Sequence, residues 1–132
     1  MLNRATSQIP SEVEEVMNRG IGACIEVHRH LGPGFLESVY QHAVCLELQQ
    51  RGIAFEQQKV IEVLYKGHCI HGQKLDLIVG SCVVLEIKAV SQLEEIHGSQ
   101  VVSYLRATGL RAGLLVNFNT PVLKAGLRRI VR

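Results

Sequence analysis

The sequence predicts one α/β domain built on a mixed sheet flanked by helices. Three observations carry that reading. Apolar residues recur at helical spacing over the first third of the chain. Three runs of strand character follow, separated by Lys66-Gly67 and Gly80-Ser81. A capped helical segment then links the third run to a further apolar strand. The order is α-α-β-β-β-α-β with a short C-terminal element. At 132 residues the chain has the length of one core.

Ser11-Glu-Val-Glu14 matches a capping box, with Ser11 as N-cap and Glu14 at N3. Val13, Val16, Met17, Ile21, Cys24, Val27 and Leu31 then repeat as one helical face, ending at the breaker Gly32-Pro33-Gly34. A second helix runs from about Leu36 to Gln50 and closes at Gly52. Phe55 to Tyr65 is a strand expected to bury much of its length, and His68 to Val79 is its hairpin partner. Cys82 to Lys88 is short, apolar and expected to be central. Ser91-Gln-Leu-Glu94 is a second capping-box match, opening a helix to Thr108 with Gly109 as C-cap. Ala112 to Phe118 is another buried strand, Thr120-Pro121 an N-cap and N1 pair, and Leu127 to Val131 a last edge strand. Residues 1–10 are expected to be a flexible segment and 11–132 the domain.

Hydrophobic residues make up 47% of the chain and charged residues 20%, an ordinary globular balance. No apolar run approaches the roughly 20 residues of a membrane span, and Met1 to Pro10 holds no apolar signal-peptide core. Cys24, Cys45, Cys69 and Cys82 form no CxxC pair. They read as reduced, mostly buried small hydrophobes of a cytoplasmic protein, and a zinc site would need unusual spacings. Residues 1–95 carry 12 acids and 8 bases, whereas residues 96–132 carry 6 bases and no acid. A basic third of this kind suits phosphate contacts, with Lys124, Arg128, Arg129 and Arg132 as candidates, or is simply a solvated face.

Asp76 is the one aspartate in the chain, and it interrupts the apolar run Leu75-Asp76-Leu77-Ile78-Val79. Glu86 interrupts Val-Val-Leu-Glu86-Ile87-Lys88 in the same way. Strand interiors disfavour such charges unless they have partners. Period-2 geometry puts Glu86 and Lys88 on one face. Two carboxylates on that face suit a hard cation, Mg²⁺ or Mn²⁺, with Lys88 positioned to orient a water or stabilise developing charge. The plain alternative is a buried Glu86–Lys88 or Asp76–Lys88 ion pair with no metal.

Asp76 followed by Glu86-Ile87-Lys88, on a hairpin between helices, resembles the PD-(D/E)XK nuclease core. Gly34-Phe-Leu-Glu37-Ser-Val-Tyr40 resembles the motif that names the bacterial GxxExxY proteins, which are assigned to that superfamily. The likeness runs from about Val13 to Arg129. It implies a restriction-endonuclease-like fold, Asp76 and Glu86 as metal ligands with the Ile87 carbonyl as a third, and Lys88 as the motif lysine. It further implies that Glu37 approaches the metal from its helix, and that Gln100 and Tyr104 (Gln100-Val-Val-Ser-Tyr104, resembling QxxxY) line the site. Leu75 stands where the superfamily's name has proline. From the residues alone, Glu37 reads as a surface acid or cap at a helix N-terminus. His97, Gln100 and Tyr104 share one helix face, with His97 preferred as a structural hydrogen-bonder over a phosphate contact. His28 and His30 share no helix face, and His68 and His71 point to opposite strand faces, so neither pair reads as a metal site.

Three functions compete: a Mg²⁺- or Mn²⁺-dependent nuclease acting on DNA or RNA, a nucleic-acid-binding or protein-interaction module on a nuclease fold, and a structural domain with a buried ion pair. A homodimer or a partner protein would extend the small surface available for substrate. The metal reading makes one sharp geometric demand. A two-residue Gly80-Ser81 turn would place Asp76 and Glu86 on opposite faces. A three-residue loop, Gly80-Ser81-Cys82, or a one-residue bulge is required to bring them together.

Overall fold

The structure, a computed structural model, describes residues 9–132. The expected flexible segment falls outside the described residues except for Ile9 and Pro10, and Ile9 is buried in the core. Helix α1 spans Ser11–Leu31 and helix α2 spans Glu37–Gln50. Strands β1 (Phe55–Tyr65) and β2 (His68–Val79) form a long antiparallel hairpin, and β3 (Val83–Lys88) pairs antiparallel with β2. Helix α3 (Glu95–Thr108) crosses over to β4 (Ala112–Asn117), which lies parallel to β3. A 3₁₀ turn at Leu123–Gly126 leads into β5 (Leu127–Val131), antiparallel to β4. The sheet order is β1-β2-β3-β4-β5, so the tail is the edge strand the sequence suggests and β3 is central.

The sheet carries a core on each face. Leu77, Val79, Val83, Leu85, Ile87, Leu114 and Val116 pack with Met17, Cys24 and Val27 of α1 and Tyr40, Val44 and Leu48 of α2. Ile61, Leu75, Ile78, Val84 and Leu115 pack with Val101, Tyr104 and Leu105 of α3. This helix sits very close to β4: a Cβ at Gly113 would lie 2.8 Å from Val101 Cγ1, so glycine is what permits the approach. No helix among the described residues is long and apolar enough to cross a membrane.

Several local expectations need correction. Ser11 is not the N-cap of α1. Pro10 is, and its carbonyl accepts from the Val13 and Glu14 amides, while the Ser11 hydroxyl turns to Glu12. The second box is displaced by three residues: Glu94 is the N-cap of α3, and its N–H donates to His97 Nδ1 at 2.9 Å. That bond gives His97 the structural role preferred for it. Thr120-Pro121 opens no helix, because the 3₁₀ turn starts at Leu123 and the Thr120 carbonyl instead accepts from buried His28 Nε2 at 2.8 Å. Strand β1 is not largely buried. Only Ile61 is, since the outer part of the hairpin runs beyond the helices. Of the cysteines, Cys24 and Cys45 are buried, Cys82 is partly so and Cys69 is exposed.

Candidate metal centre

Val79 pairs with Val83, which makes Gly80-Ser81-Cys82 a three-residue loop. Gly80 and Ser81 both take positive φ, 58° and 62°, and the Cys82 amide donates to the Val79 carbonyl. The same register continues to Leu77–Leu85, and one step further along it would set Asp76 opposite Glu86. This is the first of the two devices that the geometry demanded.

Regular pairing between β2 and β3 stops at Leu77 and Leu85, and side chains take over one residue later. The Asp76 N–H donates to Glu86 Oε1 at 2.8 Å, and the Ile87 N–H donates to Asp76 Oδ2 at 2.9 Å. The other side of β2 is irregular at the same level. Gln58, between the paired Gln57–Leu77 and Lys59–Leu75, has φ 53°. Leu77 faces α1 and α2 whereas Leu75 faces α3, so the alternation of β2 breaks at Asp76. A non-glycine residue in that backbone region marks local strain of about 1–3 kcal/mol, which such sites hold where surrounding structure enforces it.

Glu86 is almost fully buried, and Lys88 Nζ lies 3.9 Å from its Oε2. The Glu86–Lys88 ion pair weighed from the sequence is therefore present at the edge of contact. Burial, followed by the charge of Asp76, raises the Glu86 carboxyl from 4.5 to about 7, against the pull of the Asp76 amide and Lys88. Burial also raises Asp76, opposed by the Ile87 amide and Lys88. Glu37, the first residue of α2, is raised by burial and then by Asp76, while Lys88 and His97 act the other way. Asp76, Glu86 and Glu37 are thus all raised by burial, with the Lys88 ammonium acting against the shift in each.

The Gly34-to-Tyr40 segment explains how Glu37 is delivered. Gly34 has φ 111°, a conformation that favours glycine, and it turns the chain into α2. The Tyr40 ring stacks on Phe118 at 4.6 Å. Its hydroxyl donates to the Gly32 carbonyl and accepts from the Phe35 amide. The tyrosine anchors the loop, and Glu37, one turn earlier on the same helix, feels the charges of Asp76 and Lys88.

Lys88 also faces a groove of about 820 Å³ between the hairpin and α3, whose walls include His97, Gln100 and Tyr104. The shared face of those three residues is therefore a groove wall. Two contributors gave no signal in the sequence. Gln73 Nε2 donates to Tyr104 Oη at 2.8 Å, and Tyr104 donates on to the Lys74 carbonyl at 3.3 Å, tying α3 to β2 beside Asp76. Buried Asn117 clamps Val90 from both sides, accepting from its amide and donating to its carbonyl, and so fixes the segment leaving Lys88.

The basic residues lie at the other edge of the sheet. Arg129 of β5 pairs with Glu14, Arg128 bonds the Ala125 and Leu127 carbonyls at 3.0 Å, and Arg132 reaches the Leu105 carbonyl at 3.4 Å.

A mixed sheet with helices on both faces, and an acidic pair plus lysine where its central hairpin frays, is the architecture of restriction-endonuclease-like domains. Comparison with known families agrees: residues 14–130 match the PD-(D/E)XK nuclease superfamily, and the chain belongs to it. No curated protein and no solved structure matches the chain.

Proposed function

We propose that this protein is a divalent-metal-dependent nuclease that hydrolyses phosphodiester bonds of DNA or RNA at Asp76, Glu86 and Lys88. The observation that carries this reading is the frayed ladder. Each carboxylate spends one oxygen on a backbone amide and keeps the other, Asp76 Oδ1 or Glu86 Oε2, free of backbone bonds. The donors are hard oxygens, their charges repel, and one lysine does not balance three acids, so the set fits Mg²⁺ or Mn²⁺. Asp76, Glu86 and the Ile87 carbonyl would hold the ion, with Glu37 approaching from α2.

When bound, such an ion supplies charge neutralisation at the phosphate and a more acidic water. The chain's own groups do the rest. Lys88 orients the attacking water and stabilises charge developing on the phosphorus oxygens. Gln100 and Tyr104 position the strand along the groove wall, with Tyr104 held by Gln73. Lys124, Arg128, Arg129 and Arg132 add phosphate contacts farther out, and a second copy or a partner protein would lengthen the track. A cytoplasmic location accompanies this reading.

Incubation with labelled DNA and RNA panels in Mg²⁺ or Mn²⁺ tests it. Cleavage should appear with metal, stop with chelator and fall steeply in Lys88→Ala. Folded protein that cleaves no panel member would overturn the proposal.

A further inference from the structure

The outer half of the hairpin holds a second group of metal-binding side chains, chemically unlike the first. Cys69 and His71 are two residues apart on β2 and share a face. Pairing shifts between Ile61–Gln73 and Val63–Ile70, so two residues of β2, His71 and Gly72, oppose the single residue Glu62. Gly72 takes φ 119° in this bulge. The outer register, Tyr65–His68, Leu64–Cys69 and Val63–Ile70, runs on to Glu62 beside His71, and one donor atom each of Glu62, Cys69 and His71 lie within 4.8 Å of one another. Cys69 Sγ is 3.6 Å from His71 Nε2, and His71 Nε2 is 3.7 Å from Glu62 Oε2.

We propose that Glu62, Cys69 and His71 form a Zn²⁺ site. Tetrahedral zinc with ordinary bond lengths separates sulfur from nitrogen by about 3.6 Å and nitrogen from oxygen by about 3.4 Å. The spacings present are within a few tenths of an ångström of both, and the side chains are exposed and free to close the remainder. A thiolate with an imidazole selects zinc over the magnesium that the carboxylates of Asp76 and Glu86 favour. The fourth position faces solvent, for water or an incoming ligand. The ion would tie β1 to β2 at the bulge, where backbone pairing is interrupted. It would also fix Glu62, which forms part of the groove wall.

Cobalt substitution tests the site directly on the full chain, in excess Mg²⁺. Co²⁺ should give a thiolate-to-cobalt charge-transfer band saturating at one equivalent and displaced by Zn²⁺. Cys69→Ser should abolish the band, while Cys82→Ser and Asp76→Asn keep it. Losing an outer hydrogen-bond partner alone costs a metal site about 10–100-fold, so losing a direct ligand in His71→Ala or Glu62→Gln should weaken Zn²⁺ binding at least tenfold. Circular dichroism establishes that each variant is folded. Absence of the band in folded protein, or its survival in Cys69→Ser, would overturn the assignment.

Discussion

The two halves of strand β2 behave as different materials. From His68 to Lys74 every residue is exposed, whereas Leu75 and Leu77 to Val79 are buried, with Asp76 at the boundary. Each half sets a glutamate of a neighbouring strand beside it. The Glu62 side chain on β1 is 71% exposed and the Glu86 side chain on β3 is 4% exposed. In the outer half water solvates the acid, and a metal would need soft ligands to hold it there. In the inner half burial and Asp76 make ionisation itself costly, and a hard cation would relieve that cost. Residue type is shared, and surroundings decide the chemistry.

Removing the buried acids should separate the halves most sharply. Asp76→Asn and Glu86→Gln are expected to abolish Mg²⁺ and Mn²⁺ binding in calorimetry, while Cys69→Ser leaves it intact. Equal binding by the acid variants would mean that the inner half is an ion-pair core and no metal centre. Lys88→Ala comes next. Cleavage should fall by about 10²–10³-fold, the usual effect of deleting one electrostatic stabiliser, with metal affinity retained. A parallel loss of metal binding would make Lys88 a structural partner of Glu86 instead.

The pH dependence of stability sharpens the same contrast. The folded Glu86 carboxyl titrates at about 7, above its ordinary 4.5. Between those values the folded state binds more protons than the unfolded state, so stability falls as pH rises. The shift is equivalent to about 3 kcal/mol, an upper bound because Asp76 and Glu37 share the strain. In metal-free buffer the protein should unfold at lower denaturant at pH 8 than at pH 5.5, and Glu86→Gln should flatten the difference. Mg²⁺ should stabilise most at pH 8, where Glu86 is ionised. A wild-type midpoint that rises across this window would contradict the buried, crowded carboxylate.

Much of this was legible in the sequence where local rules and tertiary structure agree. Gly109 ends α3, Gly32-Pro33-Gly34 ends α1, and Asp76 and Glu86 stand out because charge rarely interrupts apolar strands. The demand that both acids share a face left a three-residue loop or a one-residue bulge, and the structure has the loop. The misses have physical causes. Alternation in Phe55–Tyr65 reports strand geometry, and burial depends on whether a helix covers the strand, which no period reveals. Ser11 has a capping sequence, but the extended Pro10 just before it supplies the acceptor. The positive φ of Gln58 and the break of alternation at Asp76 are backbone irregularities that no residue period announces. Gln73 and Asn117 are ordinary polar residues until Tyr104 and Val90 are brought beside them. The group formed by Glu62, Cys69 and His71 follows from the register of the Lys66-Gly67 turn, in which Tyr65–His68, Leu64–Cys69 and Val63–Ile70 lead on to Glu62 beside His71.

The smallest expected effect lies away from the hairpin, at β5. If phosphates are drawn by general charge there, as distinct from the specific geometry around Asp76, single substitutions should act weakly and alike. Lys124→Glu and Arg128→Glu should each lower nucleic-acid affinity and reduce the salt slope by about one or two, since each neutralised phosphate contributes about 0.9 to that slope. Melting should hardly move, because surface charges contribute about 0–1 kcal/mol. Arg129→Glu has an additional effect, since Arg129 pairs with Glu14 of α1. It should lose a small amount of stability as well as affinity, and Glu14→Gln should reproduce only the stability loss. Fluorescence anisotropy across a salt series separates the two contributions. An unchanged slope in all three β5-side variants would reduce the basic third to a solvated face and leave substrate contact to the groove between the hairpin and α3.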